Sequence, residues 1–256
     1  MNYLHNTDAA TMAYINLYGV LGCLEELCRL DEEAKSLIAD KKISIGFVVK
    51  GGPAATLYFD YGTCTLRRNA DDCDIRLPFS SPEKFNGMIN GTVTPIPNKG
   101  LTKIPFLLKT FTKLTDILSS YLQADEEALK DPTFREKSTT LMFYLIATAI
   151  AQIGNHDQIG KASAGYLVDG TVELCIQDGP AAGIVVKNHR LHTVKKTPEE
   201  VTACMKFGSM EIARNLFEGK INAVASIGTG DVRMNGMISM LDNVNRILDR
   251  VGLYLA

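Results

Sequence analysis

The sequence predicts an α+β protein of two similar units, each an antiparallel sheet of about five strands covered by helices. Three observations carry that expectation. The tetrapeptide Gly52-Pro53-Ala54-Ala55 recurs as Gly179-Pro180-Ala181-Ala182, 127 positions later in a chain of 256 residues. Before each copy apolar residues alternate, Ile45, Phe47 and Val49 in one half and Val172, Leu174 and Ile176 in the other, which is the period of a strand with one buried face. Each half also closes on an apolar stripe at helical spacing, Phe111, Leu114 and Ile117 in the first and Leu241, Val244 and Ile247 in the second. Beyond the repeat the alignment slips by one residue, so that Phe79-Ser80-Ser81 faces Phe207-Gly208-Ser209; one inserted loop residue costs little.

The elements follow in order. Residues 9–29 place Ala13, Leu17, Val20, Leu21, Leu24 and Cys28 on one helical face, and a further turn or two covers 31–39. Strands are expected at 43–50, 54–60, 63–68 and 73–79, with Tyr61-Gly62 as a hairpin turn, so that four consecutive antiparallel strands form a meander. Ser81-Pro82-Glu83 starts a helix by hydroxyl cap, proline at the first position and an acid near the positive end of the dipole. Prolines and glycine mark 92–105 as loop, a helix fills 106–122, and the charged stretch 124–137 reads as a linker or a solvated helix. The expected organisation is therefore a first unit at 1–123, a linker at 124–137 and a second unit at 138–256. In the second unit a helix at 139–153 and a polar connection lead to strands at 171–178, 182–187, 191–195 and 201–207. Thr197-Pro198-Glu199-Glu200 has the form of a capping box, yet its partner in the first half is a turn, so turn then strand is expected. A helix capped by Ser209 ends at Gly219, a looser region reaches Gly230, a short strand covers 231–235, and an amphipathic helix closes the chain.

Composition excludes several functions. Hydrophobic residues make up 46% and charged residues 22%, with a net charge of −2, so no basic field exists to hold nucleic acid. The most apolar stretch, 141–153, is too short for a transmembrane segment, which needs ~20 residues. Residues 1–10 lack a secretory pattern, and the six cysteines form no Cys-x-x-Cys pair; reduced thiols in a cytoplasmic protein are expected. His189 and His192, at i and i+3 on a strand, would face opposite sides and make a poor metal site. Asp71, Asp72 and Asp74 lack the glycine and bidentate glutamate of a calcium loop. Gly228 and Gly230 lack the lysine of a phosphate-binding loop. Cys204 has no orienting partner for nucleophilic catalysis beyond a contact with the strand carrying His192. No catalytic residue, metal or cofactor is expected.

Leu216-Phe217-Glu218-Gly219-Lys220-Ile221 and Gly230-Asp231-Val232-Arg233-Met234-Asn235-Gly236-Met237, together with the element order, resemble the sterol carrier protein type-2 family, in two tandem copies. The first half keeps only a trace of the late strand, at Gly100-Leu101-Thr102-Lys103. The resemblance implies an apolar tunnel under the helices for a fatty acyl chain, acyl-CoA or sterol, held without catalysis. The residues expected to line it are Met205, Phe207, Leu216, Phe217, Met237, Leu241, Val244 and Leu248. The alternative is a structural or protein-interaction module with a filled core, and a homo-oligomer is compatible with either.

Overall fold

The computed structural model describes residues 7–255; residues 1–6, most of the stretch examined for a secretory pattern, lie outside them. The chain divides into two compact units, Asp8–Leu141 and the part from Met142 onward, with the division inside the helix Pro132–His156. No helix among the described residues is long and apolar enough to cross a membrane.

In the first unit α1 (Ala9–Tyr14), capped by Asp8, runs through a π-helical stretch (Ile15–Val20) and a 3-10 turn into α2 (Leu24–Leu30), and Asp31 caps α3 (Glu32–Leu37). The sheet contains β1 (Lys42–Val49), β2 (Ala54–Asp60), β3 (Thr63–Arg67) and β4 (Ile75–Phe79) in the order β3-β2-β1-β4. This corrects the expected meander, because β4 pairs parallel to β1, with Ile45 opposite Ile75 and Phe47 opposite Leu77. Residues 68–74 do not turn back beside β3. They cross the outer face of the sheet, where Thr56 Oγ1 donates to Asn69 O at 2.7 Å and Tyr58 OH to Asp72 O at 2.9 Å. Crossing from β3 over β2 and β1 to β4 covers three strand spacings, ~14 Å, within the reach of the seven connecting residues at about 3.3 Å each.

The inner face is covered by α4 (Pro82–Ile89) and by α5 (Thr112–Leu122), which continues a π-helical stretch at Phe106–Phe111. Between sheet and helices lies a ring cluster: Phe47 stands 6.2 Å from Phe85 and 6.1 Å from Phe111, Phe79 stands 5.1 Å from Phe85, and Phe59 stands 5.5 Å from Phe106. Each fully buried phenylalanine contributes about 1.5–3 kcal/mol by leaving water.

The second unit repeats this plan. The helix α6 (Pro132–His156) starts earlier than expected, because Asp131 caps it through Thr133 N and Phe134 N and proline occupies its first position. Where a polar connection was expected, Asp157 caps α7 (Gln158–Ala164). The sheet has β5 (Gly170–Ile176), β6 (Ala181–Lys187), β7 (Arg190–Val194), β8 (Ala203–Phe207) and β9 (Val232–Gly236) in the order β7-β6-β5-β8-β9, with β8 again parallel to its neighbour β5. The Thr197-Pro198 segment forms no helix, as the repeat required. After α8 (Met210–Phe217), the region expected to be loose forms α9 (Ala223–Thr229), capped by Asn222 and stopped by Gly230 at a φ of +82°; α10 (Ile238–Leu255) closes the chain.

The two units agree in backbone detail. In the repeated bend Val49 N donates to Pro53 O and Gly52 N to Val49 O, and Ile176 N and Gly179 N do the same with Pro180 O and Ile176 O, all at 3.0 Å. In the first unit β9 is reduced to a single bridge, Lys99 to Arg76, where the second unit pairs Asn235 with Cys204. The next residue is glycine in both, Gly100 at φ +80° and Gly236 at φ +90°, and an added Cβ would lie 2.4 Å from the carbonyl oxygen of Asp74 or of Thr202. Gly236→Ala therefore has to move backbone as well as adopt a left-handed conformation, and is expected to cost about 1–3 kcal/mol, read as a lower urea midpoint; an unchanged midpoint would contradict this packing.

Candidate functional site

The candidate site lies between the inner face of the second sheet and the helices that cover it. Met205 and Phe207 are buried there on β8, alternating with Cys204 and Lys206 on the other face. The helix α10 packs on β8, β9 and α7, burying Met240, Leu241, Val244, Ile247 and Val251 at i, i+3 and i+4 spacing. Ser209 Oγ accepts from Ile212 N at 3.1 Å and so sets the start of α8. Phe217 at the end of α8 is half-buried and reaches Phe207 at 5.6 Å and Phe143 at 6.4 Å between ring centroids.

The structure thus brings Met205, Phe207, Leu241 and Val244 into the buried layer and leaves Leu216, Phe217 and Leu248 half-buried. Met237 precedes α10 and is 42% exposed; the buried methionine of that helix start is Met240, at 1%. Val201, Ile227 and Ile238 are also open to solvent. Met237 N donates to Thr202 O, so Met237 and Val201 flank the same β8–β9 end.

Comparing equivalent positions separates the units. The sheet registers place Phe47 of the first at Leu174 of the second and Phe59 at Val186, while the matching helices α4 and α8 place Phe85 at Ala213. Three rings of the first core are therefore smaller side chains in the second. Changes also run the other way, since Leu191 stands where the first unit has Cys64, Ile176 where it has Val49 and Phe217 where it has Ile89.

A polar network absent from the sequence reading anchors α10. Asp157, 3% exposed, accepts from Gly160 N at 2.7 Å, Arg250 Nη2 at 2.8 Å and Tyr254 OH at 2.8 Å, and Arg250 Nε lies 2.7 Å from its Oδ1. Burial pushes this carboxyl up, but the bonds from Arg250, Gly160 and Tyr254 outweigh it and hold it below the usual carboxylate range. The first unit has a counterpart: Asp31 caps α3 through Ala34 N and accepts from Tyr121 OH of α5 at 2.7 Å and from Lys137 at 3.1 Å. Each unit thereby ties the helix before its sheet to its closing helix by an acid and a tyrosine.

The remaining candidates resolve simply. His189 sits in the turn before β7 rather than on the strand, its Nδ1 3.0 Å from Leu167 O, while His192 is on β7. Two strands, β6 and β5, separate β7 from β8, so no contact joins His192 to Cys204. Asp74 is engaged by Ser44 N at 2.9 Å and by Lys103. It belongs to a surface groove of about 670 Å³ in which Arg67, Lys42, Lys99 and Lys103 face Asp60, Asp72 and Asp74, a charged recess rather than an apolar one. Gly228 lies within α9 and Gly230 ends it.

No family model and no curated protein matches the chain. Among solved structures the chain is similar to sterol carrier protein domain 2 of Helicoverpa armigera, at 13% identity over 43% of this chain and 88% of that one, with a TM-score of 0.36. It is similar also to Sterol Carrier Protein 2 from Yarrowia lipolytica in its apo form, at 20% identity over 39% and 91%, with a TM-score of 0.29. A third, the sec-alkylsulfatase Pisa1 from Pseudomonas sp., matches at 13% identity over 56% of this chain and 28% of its own, with a TM-score of 0.26.

Proposed function

We propose that the chain is a tandem pair of sterol-carrier-like units, in which the second holds an apolar ligand such as a fatty acyl chain, acyl-CoA or sterol, without catalysis, while the first is a filled structural partner. The observation that carries this reading is the replacement of Phe47, Phe59 and Phe85 by Leu174, Val186 and Ala213 at equivalent core positions, which puts smaller side chains on the face where Met205, Phe207, Leu241 and Val244 are buried. Leu216, Phe217 and Leu248 border that layer, and Met237 stands at the exposed apolar end where a tail would enter. Matching bends, the matching Gly100 and Gly236, and matching Asp–Tyr ties support duplication as the origin of the two units, arranged as 1–123 and 138–256 about a junction at 124–137.

The energetics suit such a site. Each buried methylene is worth ~0.8 kcal/mol, so a long acyl tail needs no polar partner to bind. The test is organic extraction of the purified protein and mass spectrometry of the extract. A copurified lipid at near-stoichiometric yield is expected; an extract without lipid, from protein that also fails to take up added fatty acid, would leave the interaction module as the better account.

A further inference from the structure

The opposite face of the second sheet carries a second cluster. Glu173 and Cys175 alternate with buried Val172, Leu174 and Ile176 on β5, and Cys204 projects to the same side from β8. The parallel register sets Glu173 opposite Cys204, bringing the two sulfurs to 3.9 Å. Sγ of both cysteines and a Glu173 carboxylate oxygen all lie within 4.8 Å of one another, and all three residues are half-exposed. We propose that Glu173, Cys175 and Cys204 form a site for a thiophilic divalent cation of the zinc class, with one coordination position left open to solvent.

The chemistry of the donors supports this. Two sulfurs and a carboxylate are a ligand set that soft and borderline cations select, and three protein ligands leave the fourth tetrahedral position free. A bound dication deprotonates the thiols that ligate it. On β6 the residue opposite Glu173 is Gly183, against which the Pro198 ring packs, and the one opposite Cys175 is Ala181. In the first unit the corresponding register positions are Gly46, Val48 and Arg76, so the trio is no part of the shared framework. Local sequence pattern does not reveal it, because Cys204 is 29 residues from Cys175 and the parallel pairing of β5 with β8 unites them.

The test uses the reduced full-length chain and Cd²⁺, followed by its ultraviolet thiolate charge-transfer band and displaced by Zn²⁺. Saturation at about one equivalent is expected, with the band lost in Cys175→Ser and in Cys204→Ser, and affinity lowered about tenfold or more in Glu173→Gln. In the unmutated protein Zn²⁺ should protect Cys175 and Cys204 from alkylation, mapped by mass spectrometry. Absence of a saturable band, a band that survives in the double serine variant, or equal alkylation with and without Zn²⁺ would overturn the proposal. None of these readouts depends on a lipid under the helices.

Discussion

Asp157→Ala is expected to lower the stability of the second unit by about 3–5 kcal/mol, because it leaves the Arg250 guanidinium buried without its carboxylate. The same change removes the cap of α7 and the acceptor of Tyr254, so α7 and α10 should lose hydrogen-exchange protection together. A double variant, Asp157→Leu with Arg250→Met, should recover much of the loss, since it removes both charges and leaves neither buried alone. The pH dependence has a definite sign. The folded-state pKa of Asp157 is depressed, so its contribution is fully present above the unfolded value of about 3.9 and fades as pH falls through the lower folded value. Acid destabilisation below about pH 4 should therefore be shallower in Asp157→Ala than in the unmutated protein. Urea unfolding at neutral and acid pH, read by hydrogen exchange in α7 and α10, checks both expectations; a loss under 1 kcal/mol would mean the pair contributes no more than a surface ion pair.

The second large effect concerns ligand binding. Ala213→Phe installs in the second unit the ring that Phe85 supplies in the first, where it meets Phe47 and Phe79. Filling the space proposed for the ligand should weaken fatty-acid binding by at least about tenfold, a change of about 1.4 kcal/mol, while stability shifts by less than about 1 kcal/mol. If the layer under α8 and α10 is already closely packed, the same ring has to displace its neighbours, and overpacking costs about 1–3 kcal/mol. Binding and urea midpoint together separate the two cases.

Much of the framework was legible because period-2 alternation survives in every main strand and the repeat aligns the halves. The direction of β4 was not legible: side chains alternate identically in parallel and antiparallel strands, and the length of 68–74 suits a turn or a crossing equally. The short helices α7 and α9 consist largely of Gly, Ala, Ser and Ile, too few large apolar residues to show a helical period, so their caps Asp157 and Asn222 were the only signals. The buried stripe of α10 was legible from its spacing, but its first turn was not, since Met237 and Met240 fit one stripe equally and only the β9–α10 junction exposes the former. Asp157 lies 93 residues from Arg250 and 97 from Tyr254, a network that local pattern cannot reveal.

The most direct measurement is titration of the delipidated full-length protein with a fluorescent fatty acid, alongside Ala213→Phe. The proposed function predicts saturable binding at about one equivalent per chain, lost in the variant. Linear, unsaturable uptake, or a variant that binds like the unmutated protein, would contradict it.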